Sequence, residues 1–180
     1  MSPSIRTGRK SDRVARYLMN QINNRKDATA TIVDLHECNF PLFHERLSNL
    51  PSAPDNLIYL ADAIKSANIV IIVTPEYNGG YPAALKNMID VFYKEWNRKP
   101  VAFSTVSAGS FAGMNVITSI QYVMWKLGAC TVPAMFPVAT VEKTFDENGL
   151  PSDPESTNKR ANTFIEELIW YGAALQSKNG

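Results

Sequence analysis

The sequence predicts an α/β protein, a three-layer sandwich in which a parallel β-sheet is covered by helices on both faces. Three observations carry this expectation. Apolar, β-branched segments alternate with segments of helical periodicity, twice in the order strand, turn, helix. The run Ile69-Val-Ile-Ile-Val73 is apolar without interruption, as a strand buried on both faces requires. The 180 residues are 45% hydrophobic, which supplies a core for one domain, 1–180, without help from disulfides or metals.

The elements follow in order. Ser11 reads as a helix N-cap with the acid Asp12 in the first turn, and Val14, Leu18 and Ile22 recur at helical spacing to about Asn24. Thr29 to Leu35 is rich in β-branched residues and reads as a strand, whereas Glu37 to Pro54 has the prolines and mixed polarity of a long surface loop. Pro54-Asp55 opens a helix through Ala67, with Leu57, Ile58, Leu60, Ala61 and Ile64 on its inner face, and Asn68 ends it. After the strand Ile69–Val73 a helix is expected from Pro82 to Trp96. A third strand, Val101–Val106, leads through the glycine and serine loop Ser107–Gly113 into a helix from Met114 to Leu127. Cys130–Pro133 and Ala139–Val141 offer short strand material, Asp146–Gly149 a turn, and Pro154–Leu175 a long closing helix.

Composition excludes several classes. A net charge of +1 with 19% charged residues argues against a general nucleic-acid or membrane surface, and the cations Arg6, Arg9, Lys10 and Arg13 form a local patch. Cys38 and Cys130 lack Cys-x-x-Cys spacing, and His36 and His44 lie in a loop without a carboxylate cluster, so no metal site is expected. With no signal-peptide pattern and no apolar run approaching about 18 residues, a soluble cytoplasmic protein is expected.

Three segments carry chemistry. Ser4-Ile-Arg-Thr-Gly-Arg-Lys-Ser11 joins two serines, a glycine and several cations directly before a helix N-terminus, the donor set a phosphate dianion requires; the alternative is a solvated basic N-terminus with an ordinary Ser cap. Thr74-Pro-Glu-Tyr-Asn-Gly-Gly80 offers the aromatic Tyr77, the amide of Asn78 and backbone freedom at Gly79 and Gly80, which suit the polar edge of a flat ring, although the same residues also make a plain strand-to-helix turn. Ser107–Gly113 is a second turn of that kind. In an open parallel sheet such loops lie side by side at the carboxyl ends of neighbouring strands, where dinucleotides and flavins bind.

Thr74-Pro-Glu-Tyr-Asn-Gly-Gly-Tyr-Pro-Ala-Ala-Leu-Lys-Asn87 with the downstream Asp90 resembles the signature of the NADPH-dependent FMN reductase family, flavodoxin-like enzymes that include quinone, azo-dye and chromate reductases. Ser4-x-Arg6-x-Gly8-Arg9-x-Ser11 is similar to that family's phosphate loop, and Ser107-Ala-Gly109 with Gly113 to its third flavin loop. The resemblance implies a flavodoxin-like fold, FMN as cofactor, NADPH or NADH as co-substrate and a small-molecule electron acceptor such as a quinone, azo compound, flavin or metal ion. It places Ser4, Arg6 and Ser11 at the FMN phosphate. Pro75, Glu76, Tyr77, Asn78 and Gly79, with Ser107, Ala108 and Gly109, border the isoalloxazine. Arg9 is assigned to the phosphate or to the adenosine phosphate of the pyridine nucleotide. Gly80 and Ala83 depart from the family pattern, which often has Ser and Gly there. No residue is expected to be catalytic in its own right, since the flavin carries the chemistry.

Family members also begin with a hydrophobic strand that lies centrally in a sheet of order 2-1-3-4-5, whereas this sequence starts Met-Ser-Pro-Ser. The expectation is that the natural polypeptide carries a preceding segment, with a partner subunit or an alternative pairing as the other way to fill the sheet. The apolar sets Leu85, Met88, Ile89, Phe92, Tyr93, Trp96 and Val116, Ile117, Ile120, Val123, Met124, Trp125, Leu127 favour a homodimer or homotetramer surface, which Trp170 and Tyr171 could join. Two other classes stay open: a flavodoxin-type electron carrier without nucleotide turnover, and a non-catalytic remnant without cofactor.

Overall fold

The computed structural model describes residues 1–176. Ten named elements carry the architecture: α1 (Ser11–Asn23), α2 (Leu35–Cys38), α3 (Asp55–Ser66), β1 (Val70–Pro75), α4 (Ala83–Val91), β2 (Pro100–Val106), α5 (Val116–Lys126), β3 (Cys130–Met135), α6 (Val141–Thr144) and α7 (Pro154–Gln176). Among the described residues the sheet is parallel, in the order β1-β2-β3. The β1–β2 register runs without interruption from Val70 opposite Val101 to Pro75 opposite Val106. That register brings both strands to the carboxyl edge together. β2 is buried at every position because it has a strand on each side and helices on each face.

Side-chain alternation along the strands divides the core in two. Val70, Ile72, Val101 and Phe103 face α3, α4 and α5, while Val73, Ala102, Val106 and Val132 face α1 and α7. α1 turns Val14, Leu18 and Ile22 inward at four-residue spacing, and α7 answers with Ala161, Ile165 and Leu168. β3 bulges between the partners of Val101 and Phe103, where the exposed Pro133 has no N–H to offer.

Several expectations are corrected. Thr29–Leu35 forms no regular strand: among the described residues its one bridge is Ser2 to Asp34, and Leu35 already opens α2. Its β-propensity is real, but a ladder needs a neighbour along its whole length. The helix expected to Trp96 stops at Val91, and a 3₁₀ turn over Lys94–Trp96 follows, so that Phe92 and Trp96 both point into the core. Ala139–Val141 is not a strand: Val138 bridges Val106, Thr140 is left-handed at φ 43°, and the helical turn α6 begins at Val141. Most of the apolar residues assigned to a subunit surface are plain core. Leu85, Met88, Ile89, Phe92, Trp96, Val116, Ile120 and Met124 are buried, and only Tyr93, Trp125 and Trp170 among those named are strongly exposed.

The first two residues lie between β1 and the extended 29–35 segment. The Met1 nitrogen donates to the Ile71 carbonyl at 2.7 Å, and the Val73 N–H donates to the Met1 carbonyl at 3.0 Å. On the other side the Ser2 N–H donates to Val33 and the Leu35 N–H donates to the Ser2 carbonyl.

Candidate functional site

From Ser2 the chain passes directly into the bend Ser4–Lys10, which lies at the N-terminus of α1. Ser4 is fully buried, and its Oγ shares a hydrogen bond with the Tyr77 hydroxyl at 2.7 Å. Gly8 holds a left-handed φ of 70°, which turns the chain so that the Arg9 N–H donates to the Arg6 carbonyl. Arg9 does not reach outward. Its guanidinium grips both oxygens of Asp34, at 2.8 and 2.5 Å, and also donates to the Ser4 carbonyl at 3.0 Å. This bidentate pair braces the bend from inside. Arg6 is exposed, with its guanidinium carbon 5.9 Å from the centre of the Tyr77 ring.

Ser11 is the first residue of α1 rather than its cap. Lys10 occupies the cap position without a side-chain cap bond, and Lys10 also pairs with Glu142. Ser11 is 2% exposed, and its Oγ has no hydrogen-bond partner among the described residues. A buried hydroxyl left in this way costs about 1–3 kcal/mol unless something pairs with it. It stands beside first-turn amides that no helix can satisfy internally.

The second bend leaves β1 at Pro75. Tyr77 and Gly80 exchange both backbone hydrogen bonds, at 2.8 and 3.0 Å, around Asn78 (φ 53°) and Gly79 (φ 79°). Two consecutive left-handed residues in an Asn-Gly pair make a type I′ turn, which holds Tyr77 against Ser4. Glu76 is turned to the third bend, where its carboxylate accepts from the Asn115 side chain at 2.8 Å and from the Asn115 N–H at 3.3 Å. Ser107 leaves β2 opposite this turn; its Oγ donates to Gly109 and its N–H to Val138, while Thr140 donates to the Gly109 carbonyl. Ala108 and Gly109 are exposed on the rim so formed. Three bends therefore converge at the carboxyl edge of β1 and β2, tied by Ser4–Tyr77 and Glu76–Asn115.

The profile of the family described as NADPH-dependent FMN reductase matches residues 2–143. The chain belongs to the NADPH-dependent FMN reductase family. Among relatives, it is 30% identical over 154 residues to the NAD(P)H-dependent FMN reductase LOT6 of Saccharomyces cerevisiae, covering 77% of this chain and 80% of that one. It is 35% identical over 86 residues to a quinone reductase of Pseudomonas putida, covering 45% of this chain and 46% of that protein. In fold it is similar to FerB, a flavoenzyme NAD(P)H:(acceptor) oxidoreductase from Paracoccus denitrificans, with a TM-score of 0.76 at 20% identity over 95% of this chain and 94% of that one. The architecture is flavodoxin-like.

For a member of this reductase family, the convergence of Ser4, Tyr77, Asn78, Gly79 and the Ser107–Gly109 turn is legible in the motifs. Two bracing residues were not singled out there. Asp34 ends the β-branched run 29–35 and looks like a strand-end polar residue until Arg9 is seen to chelate it. Asn115 sits beyond the glycine loop, and only the Glu76 contact gives it a part. No helix among the described residues is long and apolar enough to cross a membrane, and no group of three metal-ligating side chains occurs among them.

Proposed function

We propose that the protein is an FMN-containing NAD(P)H oxidoreductase that passes reducing equivalents to a small planar acceptor of the quinone class. The observation that carries this reading is the buried Ser11 hydroxyl at the N-terminus of α1, which has no hydrogen-bond partner among the described residues and lies at the same edge as the Tyr77–Ser4 contact. A hydroxyl beside the first turn of a helix suits an anion, and the phosphate is the anionic end of the family's cofactor. FMN, when bound, supplies the hydride chemistry itself.

The chain's own residues then have positioning roles. Ser11, Ser4 and the first-turn amides hold the phosphate, and exposed Arg6 adds charge. Arg9 shapes the loop through Asp34 and Ser4. Pro75, Glu76, Tyr77, Asn78 and Gly79 on one side, and Ser107, Ala108 and Gly109 on the other, border the ring system. Glu76 is engaged by Asn115 and acts as a tie between bends, which supports the reading that no side chain serves as acid, base or nucleophile. Ile5, Phe111 and Met114 are exposed on these same bends and give the rim an apolar surface on which a planar quinone stacks. Azo compounds, free flavin and metal ions are further acceptors of the same exposed ring. NADPH or NADH serves as co-substrate. Tyr122 and Trp125, exposed and 5.9 Å apart on α5, support a homodimer or homotetramer, and a cytoplasmic site of action is consistent with the two free thiols.

The test is an absorption spectrum of the purified protein before and after anaerobic NADPH. Prompt bleaching of bound flavin, followed by reoxidation on adding a quinone, supports the reductase. Bound flavin that NADPH leaves coloured supports an electron carrier, and a colourless protein that takes up no added FMN supports a remnant without cofactor.

A further inference from the structure

The bend before α1 and the turn after β1 are joined by a bond between two side chains, Ser4 Oγ and the Tyr77 hydroxyl, 2.7 Å apart. By geometry alone either oxygen can be the donor. Both partners are held where they are. Ser4 is fully buried and its carbonyl accepts from Arg9 at 3.0 Å. Tyr77 is half-buried; its backbone is paired with Gly80 in both directions, the Arg6 guanidinium lies 5.9 Å from its ring centre, and the preceding Glu76 is tied to Asn115. The contact is therefore fixed from each side.

Counting protons decides the direction of that bond once an anion is present. A serine hydroxyl and a phenol each carry one proton, whereas a phosphate dianion carries none and only accepts. If Ser4 donates to Tyr77, it meets the phosphate with lone pairs alone, and two acceptors face each other in a buried place. If Tyr77 donates to Ser4, the Ser4 proton is available to the phosphate, and every donor and acceptor in the row is used. In that order each hydrogen bond polarises the next, so the pair is worth more than two separate contacts.

We propose that Tyr77 is a positioning residue whose hydroxyl donates to Ser4 and thereby commits the Ser4 proton to the cofactor phosphate. This rests on the placement of that phosphate beside Ser4 and Ser11 under the proposed function. It assigns the phenol to the anionic end of the cofactor, although the Tyr77 ring lies on the bend that borders the isoalloxazine. It also removes one candidate acid: a proton held on Ser4 is not delivered to a reduced quinone. The same bond carries the grip on the phosphate into the turn around Asn78 and Gly79, because Tyr77 opens that turn.

The test compares FMN with riboflavin, which lacks the phosphate, in titrations of the parent, Tyr77→Phe, Ser4→Ala and the double variant. Tyr77→Phe keeps the ring and removes only the donor. It is expected to raise the FMN dissociation constant by about 10-fold and to leave riboflavin within about twofold. Ser4→Ala, which reaches the same bond from its other end, is expected to match it, and the double variant to lose no more than the larger single loss, since both act through one row of bonds. The phosphorus NMR signal of bound FMN moves in Tyr77→Phe, while the flavin absorption band, which senses the ring, stays. Equal losses for FMN and riboflavin, additive losses in the double variant, or an unmoved phosphorus signal overturn the proposal. A parent that prefers FMN, with that preference intact in Tyr77→Phe, overturns the role of Tyr77 alone. A parent that binds FMN no more tightly than riboflavin overturns the phosphate placement, and this role with it.

Discussion

Replacing Ser11 by Ala separates a structural role from a ligand-binding one, because the two give opposite signs. Without ligand, the Ser11 hydroxyl is a buried group with no partner among the described residues, and it makes no cap bond. Its removal relieves a penalty of about 1–3 kcal/mol, and Ala gains roughly 0.5 kcal/mol over Ser in helix propensity. The flavin-free Ser11→Ala protein is therefore expected to be more stable, by about 1–2 kcal/mol after allowing for the small void left behind, as read from the denaturant midpoint. With ligand the sign reverses. A hydrogen bond to a charged phosphate contributes about 1.5–3 kcal/mol, so the FMN dissociation constant rises by roughly 10- to 150-fold. Quenching of flavin fluorescence measures this directly, and riboflavin, which lacks the phosphate, supplies the control: its affinity stays as in the parent. Unchanged FMN affinity, or an equal loss for riboflavin and FMN, refutes the placement of the phosphate at Ser11.

Three further outcomes follow from the geometry. Glu76→Ala removes both bonds to Asn115 and is expected to weaken FMN binding by several-fold, whereas Glu76→Gln, which keeps one acceptor, recovers much of it in the same titration. Gly149→Ala places a Cβ 2.7 Å from the Arg13 carbonyl oxygen at a φ of 82°, and is expected to destabilise by about 2 kcal/mol or more, lowering the melting temperature by roughly 4–8 °C. For a chain whose Met1 carries a free amine, stability is expected to rise with pH between about 6 and 8. The unfolded amine binds a proton in that window and the buried one does not, so the penalty is complete below pH 6 and gone above pH 8, amounting to about 2–3 kcal/mol at most. N-terminal acetylation flattens that slope in a denaturant series.

The strand Ile69–Val73 and the turn after it were legible because their signals are local. An uninterrupted apolar run requires cover on both faces, and Asn78-Gly79 supplies the two left-handed residues that a type I′ turn demands. What the residues could not specify depended on distant partners. Thr29–Leu35 has the composition of a strand, but only Asp34 meets a bridge partner, because pairing is a property of two segments. The helix after Pro82 carries its apolar period past Val91, yet the bulk of Phe92 and Trp96 is buried by breaking the helix, not by continuing it. Ser11 looks like a cap in one dimension. In three it is a buried hydroxyl with no partner among the described residues, which points to a ligand more strongly than a cap does.

Asp34 links the N-terminal residues to the phosphate bend. Its backbone bridges Ser2, while its carboxylate holds the Arg9 fork, which in turn holds the Ser4 carbonyl. Ser2, Pro3 and Ser4 are all buried, so motion at Met1 reaches the Ser4–Tyr77 contact through only three residues. The Arg9–Asp34 pair therefore fixes the bend before any flavin arrives, and binding no longer has to order it. Asp34→Asn, which loosens the Arg9 fork, is accordingly expected to weaken FMN binding by several-fold without touching the ligand, as read from quenching of flavin fluorescence. If Asp34→Asn leaves FMN affinity as it was, the Arg9 fork does not order the phosphate bend and Asp34 is no more than a local brace.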